Sequence, residues 1–469
     1  MARLLIQPRY TGARAWVCAG AWLAVVGFAG LAPAQVQPAE LAPAQVSAAP
    51  AATAESFATA VVARDGAAAR ALGDAKLAAA MTDATISQIM AAVTAQIGTI
   101  TGTDAAWLET VESGFTHHRV ALRGEKGNLD FQVVVDGNGH VAGLWLKPHQ
   151  AAPGTPAEAT ATDEGPQPRQ VEVSVGPADS ALPGILTLPE GDGPFPAVVL
   201  VHGSGPSDRD GNVSGNRPYR DIANGLATKG VATLRYDKRS FANPRSLMAH
   251  GAAMTVQHES IDDAVAAVAL LRTRPEIDPA RVYVLGHSLG GMVAPRIAGQ
   301  AKADGMIILA GATRPLPEVV LEQVRYIAAV DDTLTMDEVI ENERMAESVK
   351  RYREAPAGTG TFMGLPAGYL ADLEAHDAPA EAAALDIPVL VLQGARDYQV
   401  TMEDFRRWQA ALRPGPRTCY KVYGDLDHLM RAGEGKSKPA DYTTPRPVAP
   451  MVIEDIARFV QQGCASPRR

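Results

Sequence analysis

The sequence predicts an α/β fold: a doubly wound, mostly parallel sheet with a helical cap insertion, preceded by a small α+β domain. From residue 171 onward, strand-like and helix-like patterns alternate, as they do when helices cover both faces of a parallel sheet. Several of these strand patterns are apolar throughout, which is typical of strands buried on both faces. Earlier in the chain, helical patterns precede strands of alternating polarity, which indicates a separate α+β domain.

The main domain contains eight strand patterns, with helical patterns between most of them. In chain order the strands are "VEVSV", "GILTLPE", "FPAVVLVHG", "VATLRYD", "RVYVLGHS", "GMIILAG", "IPVLVLQG" and "TCYKVYG". A long insertion, about residues 312–385, separates the sixth strand from the seventh and includes the helical stretch "DEVIENERMAESVKRYREA". Long insertions of this kind commonly form a cap or lid over a site.

Length, composition and charge limit the class of protein. The chain has 469 residues, of which 46% are hydrophobic and 20% charged, as expected of a globular protein with more than one domain. Its net charge of −9 argues against a nucleic-acid partner, because phosphate contacts require a basic surface.

The first 34 residues have the pattern of a secretory signal peptide. Three arginines and no acidic residue come first, an apolar run covers Ala15 to Ala32, and the small residues "APA" end at Ala34. We expect cleavage after Ala34, which makes the net charge −12, and a periplasmic or secreted protein without stable membrane insertion. The alternative is an uncleaved anchor, for which this apolar run is near the lower length limit.

Changes of composition divide the chain into five parts. Residues 35–52 and 149–170 are rich in Ala and Pro, a composition typical of tethers and linkers. The predicted parts are a signal peptide (1–34), a tether (35–52), a small α+β domain (53–148), a linker (149–170) and the main α/β domain (171–464).

The small domain offers few residues for chemistry. Its adjacent His117 and His118 lie in a strand pattern, so their side chains point to opposite faces and a shared metal is not expected. The segment resembles the small domain of nuclear-transport-factor-like or cystatin-like shape found ahead of bacterial hydrolases. That resemblance implies accessory binding, or a homo-oligomer formed through this domain.

Ser288 is the candidate nucleophile. It lies in "VYVLGHSLGG", after a strand predicted over Arg281 to Leu285 and before a helix predicted over Gly290 to Ala301. A serine on such a strand-to-helix turn is exposed at the carboxyl end of the sheet, and small neighbours allow the sharp bend. The strand before Ser288 and the helix after it favour this interpretation over the alternative, a structural Gly-Ser turn.

A serine hydroxyl needs a base and an orienting acid. Asp397 follows the strand "IPVLVLQG" and His428 follows the strand "TCYKVYG", which is the chain order Ser, acid, His of this sheet topology. We expect the side chain of His287 to point away from the base position. The rival acids and histidines, which the pattern favours less for these two roles, are Asp386, Asp425, Asp427, His202, His250, His258 and His287.

Two backbone N–H groups are expected to form an oxyanion hole. One belongs to Leu289, directly after the nucleophile, and the other to Ser204 in "HGSGPSDRDGN", with Gly205 as the alternative. His202 is expected to brace this loop. The segment Asp208-Arg209-Asp210 is interpreted as a turn held by its own ion pairs, in preference to a metal site.

The predicted mature chain keeps two cysteines, Cys419 and Cys464. In an oxidising compartment this pair would form a disulfide between the last strand and the C-terminal helix. Two unpaired thiols remain the alternative at this point.

Five motifs together resemble the α/β-hydrolase superfamily, and within it the bacterial esterases related to dienelactone hydrolases and serine aminopeptidases. They are "VLVHGSGPSDRDGN", "LRYDKRS", "GHSLGG", "LQGARDYQV" and "DLDHLM", within about Val171 to Cys464. The resemblance implies an acyl-enzyme mechanism at Ser288, His428 and Asp397, with no metal or organic cofactor. Relatives often have glycine where this chain has Ser240, a departure that concerns the shape of that loop and not the triad.

The resulting expectation is an exported carboxylesterase acting on a small-molecule ester. One alternative is a peptidase, aminopeptidase or acyltransferase with the same triad. An aminopeptidase requires acidic groups for the substrate amine, and Glu338 and Glu341 in the insertion are candidates for that role. The other alternative is an inactive protein that binds an envelope component.

Overall fold

The computed structural model describes residues 49–112, 115–125, 127–149, 168–356 and 358–464. These residues form two compact units, one before and one after the segment 150–167. The predicted signal peptide and residues 35–48 of the predicted tether lie outside the described residues. Within the described ranges, no helix combines the length and apolar character needed to cross a membrane.

The first unit packs helices against an antiparallel sheet. Its helices are α1 (Ala49–Val62), α2 (Gly66–Leu72), α3 (Ala75–Ala80) and α4 (Asp83–Ile97). Its strands are β1 (Ile100–Thr103), β2 (Trp107–Glu112), β3 (Phe115–Gly124), β4 (Gly127–Val135) and β5 (Val141–Pro148). The sheet order is β1-β3-β4-β5, with β2 also paired to β3. Helix α1 begins at Ala49, inside the predicted tether, because an alanine-rich segment has high helix propensity.

Alternating residues of β3 and β4 build the core of this unit. Val120, Leu122, Phe131 and Val133 are buried and pack with residues of α1 and α4. This alternation follows from the two-residue period of a strand, which sends every second side chain to the helical face.

The second unit contains a sheet of eight strands among the described residues. They are β6 (Arg169–Val175), β7 (Leu182–Leu188), β8 (Phe195–Val201), β9 (Ala232–Tyr236), β10 (Ile277–His287), β11 (Gly305–Leu309), β12 (Val389–Gly394) and β13 (Thr418–Tyr423). The order is β13-β12-β11-β10-β8-β9-β7-β6, and the strands from β8 to β13 are all parallel. The predicted fold class is therefore confirmed for the main domain. Strand β6 begins two residues earlier than the predicted linker boundary.

Helices cover both faces of this sheet. The helices of this unit, including those of the insertion between β11 and β12, are α5 (Pro218–Ala227), α6 (Arg239–Ala242), α7 (Pro244–Met248), α8 (Asp262–Arg272), α9 (Leu289–Ala301), α10 (Leu316–Ala329), α11 (Met336–Glu354), α12 (Ala367–Glu374), α13 (Ala378–Ala384), α14 (Met402–Ala411) and α15 (Pro450–Gln462). Val199 of β8 packs in a core with α8 and α9, whereas the next residue, Leu200, packs in a core with α5 and α15. Because successive side chains of one strand enter different cores, the strand is apolar throughout.

The insertion between β11 and β12 consists mainly of α10, α11, α12 and α13 in the part of the chain described. The sequence pattern identified α11 alone. Helix α10 packs on α11 through Val320, Val324 and Val349, in a small apolar core of their own.

A disulfide joins Cys419 of β13 to Cys464, which follows α15, with 5.5 Å between the two Cα atoms. The disulfide links an edge strand to the C-terminal helix.

Candidate active site

Ser288 lies on the turn between β10 and α9 with φ 57° and ψ −118°, a conformation that L-residues rarely adopt. Gly286 and Gly290 make this turn possible. A Cβ atom at Gly286 would overlap the carbonyl oxygen of Gly290, and one at Gly290 would overlap that of Val201. The strained turn presents the partly exposed Ser288 at the carboxyl end of the sheet.

Asp397 and His428 meet at the same end of the sheet. The Nδ1 atom of His428 lies 2.7 Å from Oδ2 of Asp397, and both residues are buried. The other carboxylate oxygen of Asp397 accepts the backbone N–H groups of Gln399 and Val400 at 2.8 and 3.0 Å. These bonds fix the carboxylate, which in turn fixes the tautomer and orientation of the imidazole.

His428 lies close to the turn that carries Ser288. The ring of His287, directly before Ser288, has its centroid 4.6 Å from that of His428. Within the described residues, no hydrogen bond joins the Ser288 hydroxyl to His428, and in unliganded enzymes such bonds often tighten only when substrate arrives.

The structure contradicts the expectation that His287 points away from the base position. Its Nε2 atom lies 2.9 Å from the backbone carbonyl oxygen of His428, and its Nδ1 atom lies 3.1 Å from the hydroxyl of Tyr219. His287 is the last residue of β10, and the next residue, Ser288, has a positive φ. The two-residue alternation of a regular strand therefore does not predict where the side chain of His287 points. The side chain of His287 contacts the backbone of His428.

The acids set aside have other partners. Asp427 binds Arg431 at 2.7 Å and accepts the backbone N–H of Leu429 at 3.0 Å, so it shapes the histidine loop. Asp386 pairs with Arg417 in a largely exposed position.

The loop after β8 runs beside Ser288. A Cβ atom at Gly203 would lie 3.2 Å from Cβ of Ser288, so only a glycine approaches this closely without strain. Ser204 follows and is partly exposed, while Leu289 is the first residue of α9. Both predicted oxyanion donors therefore belong to segments that adjoin Ser288.

His202 anchors the start of this loop. Its Nε2 atom lies 3.2 Å from the carbonyl oxygen of Asp208, and its ring packs edge-on against Tyr219 and Tyr236. Burial, followed by the charge of Lys238, lowers the pKa of His202 to about 3. A histidine that stays neutral at ordinary pH is suited to bracing and not to proton transfer.

The prediction that ion pairs within Asp208-Arg209-Asp210 hold this turn is wrong, because its charged side chains pair with residues outside the segment. Arg209 pairs with Asp237 at 2.8 Å, and Asp210 accepts from Arg235 at 2.9 Å. The two partners lie on β9 or just after it, so the loop is held by the neighbouring strand. Sequence spacing alone does not reveal that β9 lies beside β8.

The two glutamates considered for an amine-binding role do not form an acidic pair. Glu338 completes the capping box of α11 with Thr335, and Glu341 faces Arg344 at 3.8 Å in an exposed position. In the first unit, His118 is buried and its Nε2 atom lies 3.0 Å from the hydroxyl of Thr116.

Lys238 was not singled out from the sequence. Its ammonium group is buried beneath the loop after β8 and binds the carbonyl oxygens of Gly203 and Gly205. The motif "RYDKRS" was the available signal, but nothing in it indicates which loop the lysine reaches.

Comparisons with known proteins agree with this architecture. The model of a hydrolase family described as "Serine aminopeptidase, S33" matches residues 194–434, which contain the Ser288 turn, Asp397 and His428. The esterase EstD of Thermotoga maritima is 38% identical to this chain over 359 residues, which is 76% of this chain and 82% of EstD.

Two further likenesses are more distant. The esterase FrsA of Escherichia fergusonii is 30% identical over 132 residues, 28% of each chain. The solved structure of a hyperthermophilic esterase from Pyrobaculum calidifontis has 16% sequence identity and a TM-score of 0.41, over 64% of this chain and 88% of that one.

Proposed function

The chain belongs to the serine aminopeptidase S33 family of α/β hydrolases and is a carboxylesterase-type hydrolase, and we propose that it cleaves small carboxylic esters through an acyl-enzyme formed on Ser288. The observation that carries this proposal is the contact between His428 Nδ1 and Asp397 Oδ2 at 2.7 Å, beside the Ser288 turn. That contact leaves the other imidazole nitrogen to take the serine proton.

The proposed reaction has two halves. Ser288 Oγ attacks the ester carbonyl carbon while His428 Nε2 takes the hydroxyl proton, and the N–H groups of Leu289 and Ser204 bind the oxyanion. Collapse of the tetrahedral intermediate expels the alcohol, which receives its proton from His428. The same imidazole then activates water, which attacks the acyl-enzyme and releases the carboxylic acid and Ser288.

The ester preference is testable against the peptidase alternative. A series of p-nitrophenyl esters from acetate to decanoate, run beside aminoacyl p-nitroanilides, separates the two chemistries. We expect turnover of the esters, with the best acyl length set by the cap, and no measurable anilide cleavage. Anilide cleavage without ester turnover would overturn the proposal. Glu338 does not favour an aminopeptidase, because its side chain caps the helix to which it belongs.

Export to the periplasm or beyond is part of this proposal and rests on the sequence of residues 1–34. We expect the mature protein to begin at Gln35 and to be found in the periplasmic fraction or the medium. Determination of the N-terminus of the mature protein and cell fractionation test this, with a chain lacking residues 1–34 as the control. An intact N-terminus in the cytoplasmic fraction would contradict it.

A further inference from the structure

Lys238 has a buried ammonium group whose three donors all meet acceptors. Its Nζ atom lies 2.9 Å from the carbonyl oxygen of Gly203, 3.2 Å from that of Gly205, and 3.1 Å from a carboxylate oxygen of Glu259. An ammonium group carries three N–H donors and no acceptor, so these contacts satisfy it completely. The backbone N–H of Lys238 also donates to the carbonyl oxygen of Ser207, at 3.0 Å. The loop of residues 203–207 is thus folded around this one residue.

The bond to Gly203 orients the next N–H group in the chain. The peptide between Gly203 and Ser204 is trans, because the cis peptide among the described residues is Gly193–Pro194. In a planar trans peptide, the C=O and N–H bonds point in opposite directions. While Lys238 holds the Gly203 carbonyl, the Ser204 N–H must point away from the lysine. Rotation of that peptide would break the bond and leave a buried ammonium donor without a partner, which is unfavourable.

Glu259 also holds the ammonium group of Lys238. One of its carboxylate oxygens faces Lys238, and the other accepts the hydroxyl of Tyr369 at 2.7 Å. Tyr369 belongs to α12 of the cap and is itself buried. A buried charge requires this kind of pairing and hydrogen bonding to be tolerated. The path from the cap to the loop beside Ser288 therefore runs through three buried side chains.

On the basis of the proposed function, we infer that Lys238, held by Glu259 and Tyr369, is a positioning residue for the oxyanion hole. It sets the direction of the Ser204 N–H before substrate arrives. Such an arrangement matters because a donor aimed in advance at the developing charge needs no reorganisation during the reaction. Lys238 does not touch substrate, and its effect passes through the peptide between Gly203 and Ser204.

The test compares Lys238→Met with Arg239→Met. Arg239 is the neighbouring residue and pairs with Asp263 and the carbonyl oxygen of Ser180, away from the oxyanion loop. Both changes remove a cation from a largely buried ion pair, so both are expected to lower stability. We expect Lys238→Met to lower kcat/KM for p-nitrophenyl butyrate at least tenfold, towards the roughly 10²–10³-fold loss in kcat seen when an oxyanion donor is removed. Arg239→Met is expected to change it less than threefold.

A second readout separates positioning from general damage. An aryl trifluoromethyl ketone forms a tetrahedral adduct with the serine and places an oxyanion in the hole, so its inhibition constant should rise in parallel with the loss of kcat/KM in Lys238→Met. The matching alkyl aryl ether has no carbonyl oxygen to place in the hole, and its inhibition constant should stay within threefold. Should Lys238→Met not fold, Lys238→Met combined with Glu259→Met removes both charges and is expected to show the same pattern.

The outcomes are distinct. If the wild type hydrolyses the ester and a folded Lys238 variant matches Arg239→Met in both readouts, this inference is overturned and the proposed function stands. If the wild type neither turns over esters nor binds the ketone, the proposed function fails and this inference fails with it.

Discussion

The Nε2 atom of His287 lies 2.9 Å from the backbone carbonyl oxygen of His428. The other ring nitrogen of His287 lies 3.1 Å from the Tyr219 hydroxyl, which also accepts the backbone N–H of Gly203 at 3.2 Å. A neutral imidazole satisfies both contacts when Nδ1 accepts and Nε2 donates. One buried histidine thus connects the loop that carries His428 with the loop beside Ser288.

Replacing His287 should flatten the dependence of stability on pH. Burial, followed by repulsion from His428, lowers the pKa of His287 from the usual 6.5 to about 3. Between those values the unfolded chain binds a proton that the folded chain does not, so the free energy of unfolding falls as the pH falls, by up to about 1.4 kcal/mol per pH unit. Urea unfolding of wild type and His287→Gln from pH 7 to pH 4 measures this. We expect a smaller loss in the variant, and equal slopes would show that His287 is not buried in its neutral form.

Two variants, Asp397→Asn and Asp427→Asn, should show which of the two acids orients His428. The first removes the charge beside His428 Nδ1 and permits the wrong tautomer, so kcat should fall by roughly 10³–10⁴-fold. The second breaks the ion pair of Asp427 with Arg431, so we expect lower stability but less than about a tenfold loss of kcat, since Asp427 does not bind the imidazole. Steady-state kinetics and thermal unfolding of both variants decide the matter. Equal losses of kcat would remove the distinction between the two acids.

Gly286→Ala should disrupt the nucleophile turn. Its new Cβ would overlap the backbone of Gly290, and overpacking of this kind typically costs about 1–3 kcal/mol or more because backbone must move. Gly424→Ala is the matched control, because a Cβ there meets no atom within 4 Å. Denaturant unfolding and ester turnover should show a destabilised, nearly inactive Gly286→Ala and a Gly424→Ala close to wild type. A fully active Gly286→Ala would argue against the turn geometry described here.

Loss of the disulfide should affect stability and not chemistry. Cys419 and Cys464 are separated by 45 residues, for which the loop-entropy estimate gives at most about 4 kcal/mol of stabilisation. The double change Cys419→Ser and Cys464→Ser should lower the free energy of unfolding by about 2–4 kcal/mol, with kcat within twofold of wild type. Thiol titration of the unfolded, unreduced wild type serves as the control and should find neither cysteine free. A large fall in kcat for the folded double variant would contradict this account.

The sheet and the candidate triad were predictable because both depend on local pattern and chain order. Runs such as "AVVLV" of β8 are apolar throughout only when two cores cover the strand. Asp397 and His428 follow directly on parallel strands, whose carboxyl ends share one edge of the sheet. Position at a strand end was therefore sufficient to bring them near Ser288.

The supporting contacts were not predictable, because they depend on which loops meet in three dimensions. Lys238 reaches Gly203 because β9 lies beside β8. It reaches Glu259 because the π-helical turn Gln257–Ile261 brings that carboxylate within 3.1 Å of the ammonium group. The direction of His287 depends on the strained backbone of Ser288, which the two-residue period of a strand does not describe. The sequence of α12 has no strong amphipathic pattern. For that reason the hydrogen bond from Tyr369 to Glu259 was not predictable.

The central claim is that Ser288 is the nucleophile. The most direct measurement is mass spectrometry of the protein after reaction with a fluorophosphonate, with Ser288→Ala as the matched control. The account predicts one phosphonyl adduct per chain, on the peptide that contains Ser288, with parallel loss of ester turnover and no adduct in the variant. A wild-type protein that hydrolyses esters without labelling, or a Ser288→Ala variant that is labelled or retains turnover, would contradict it.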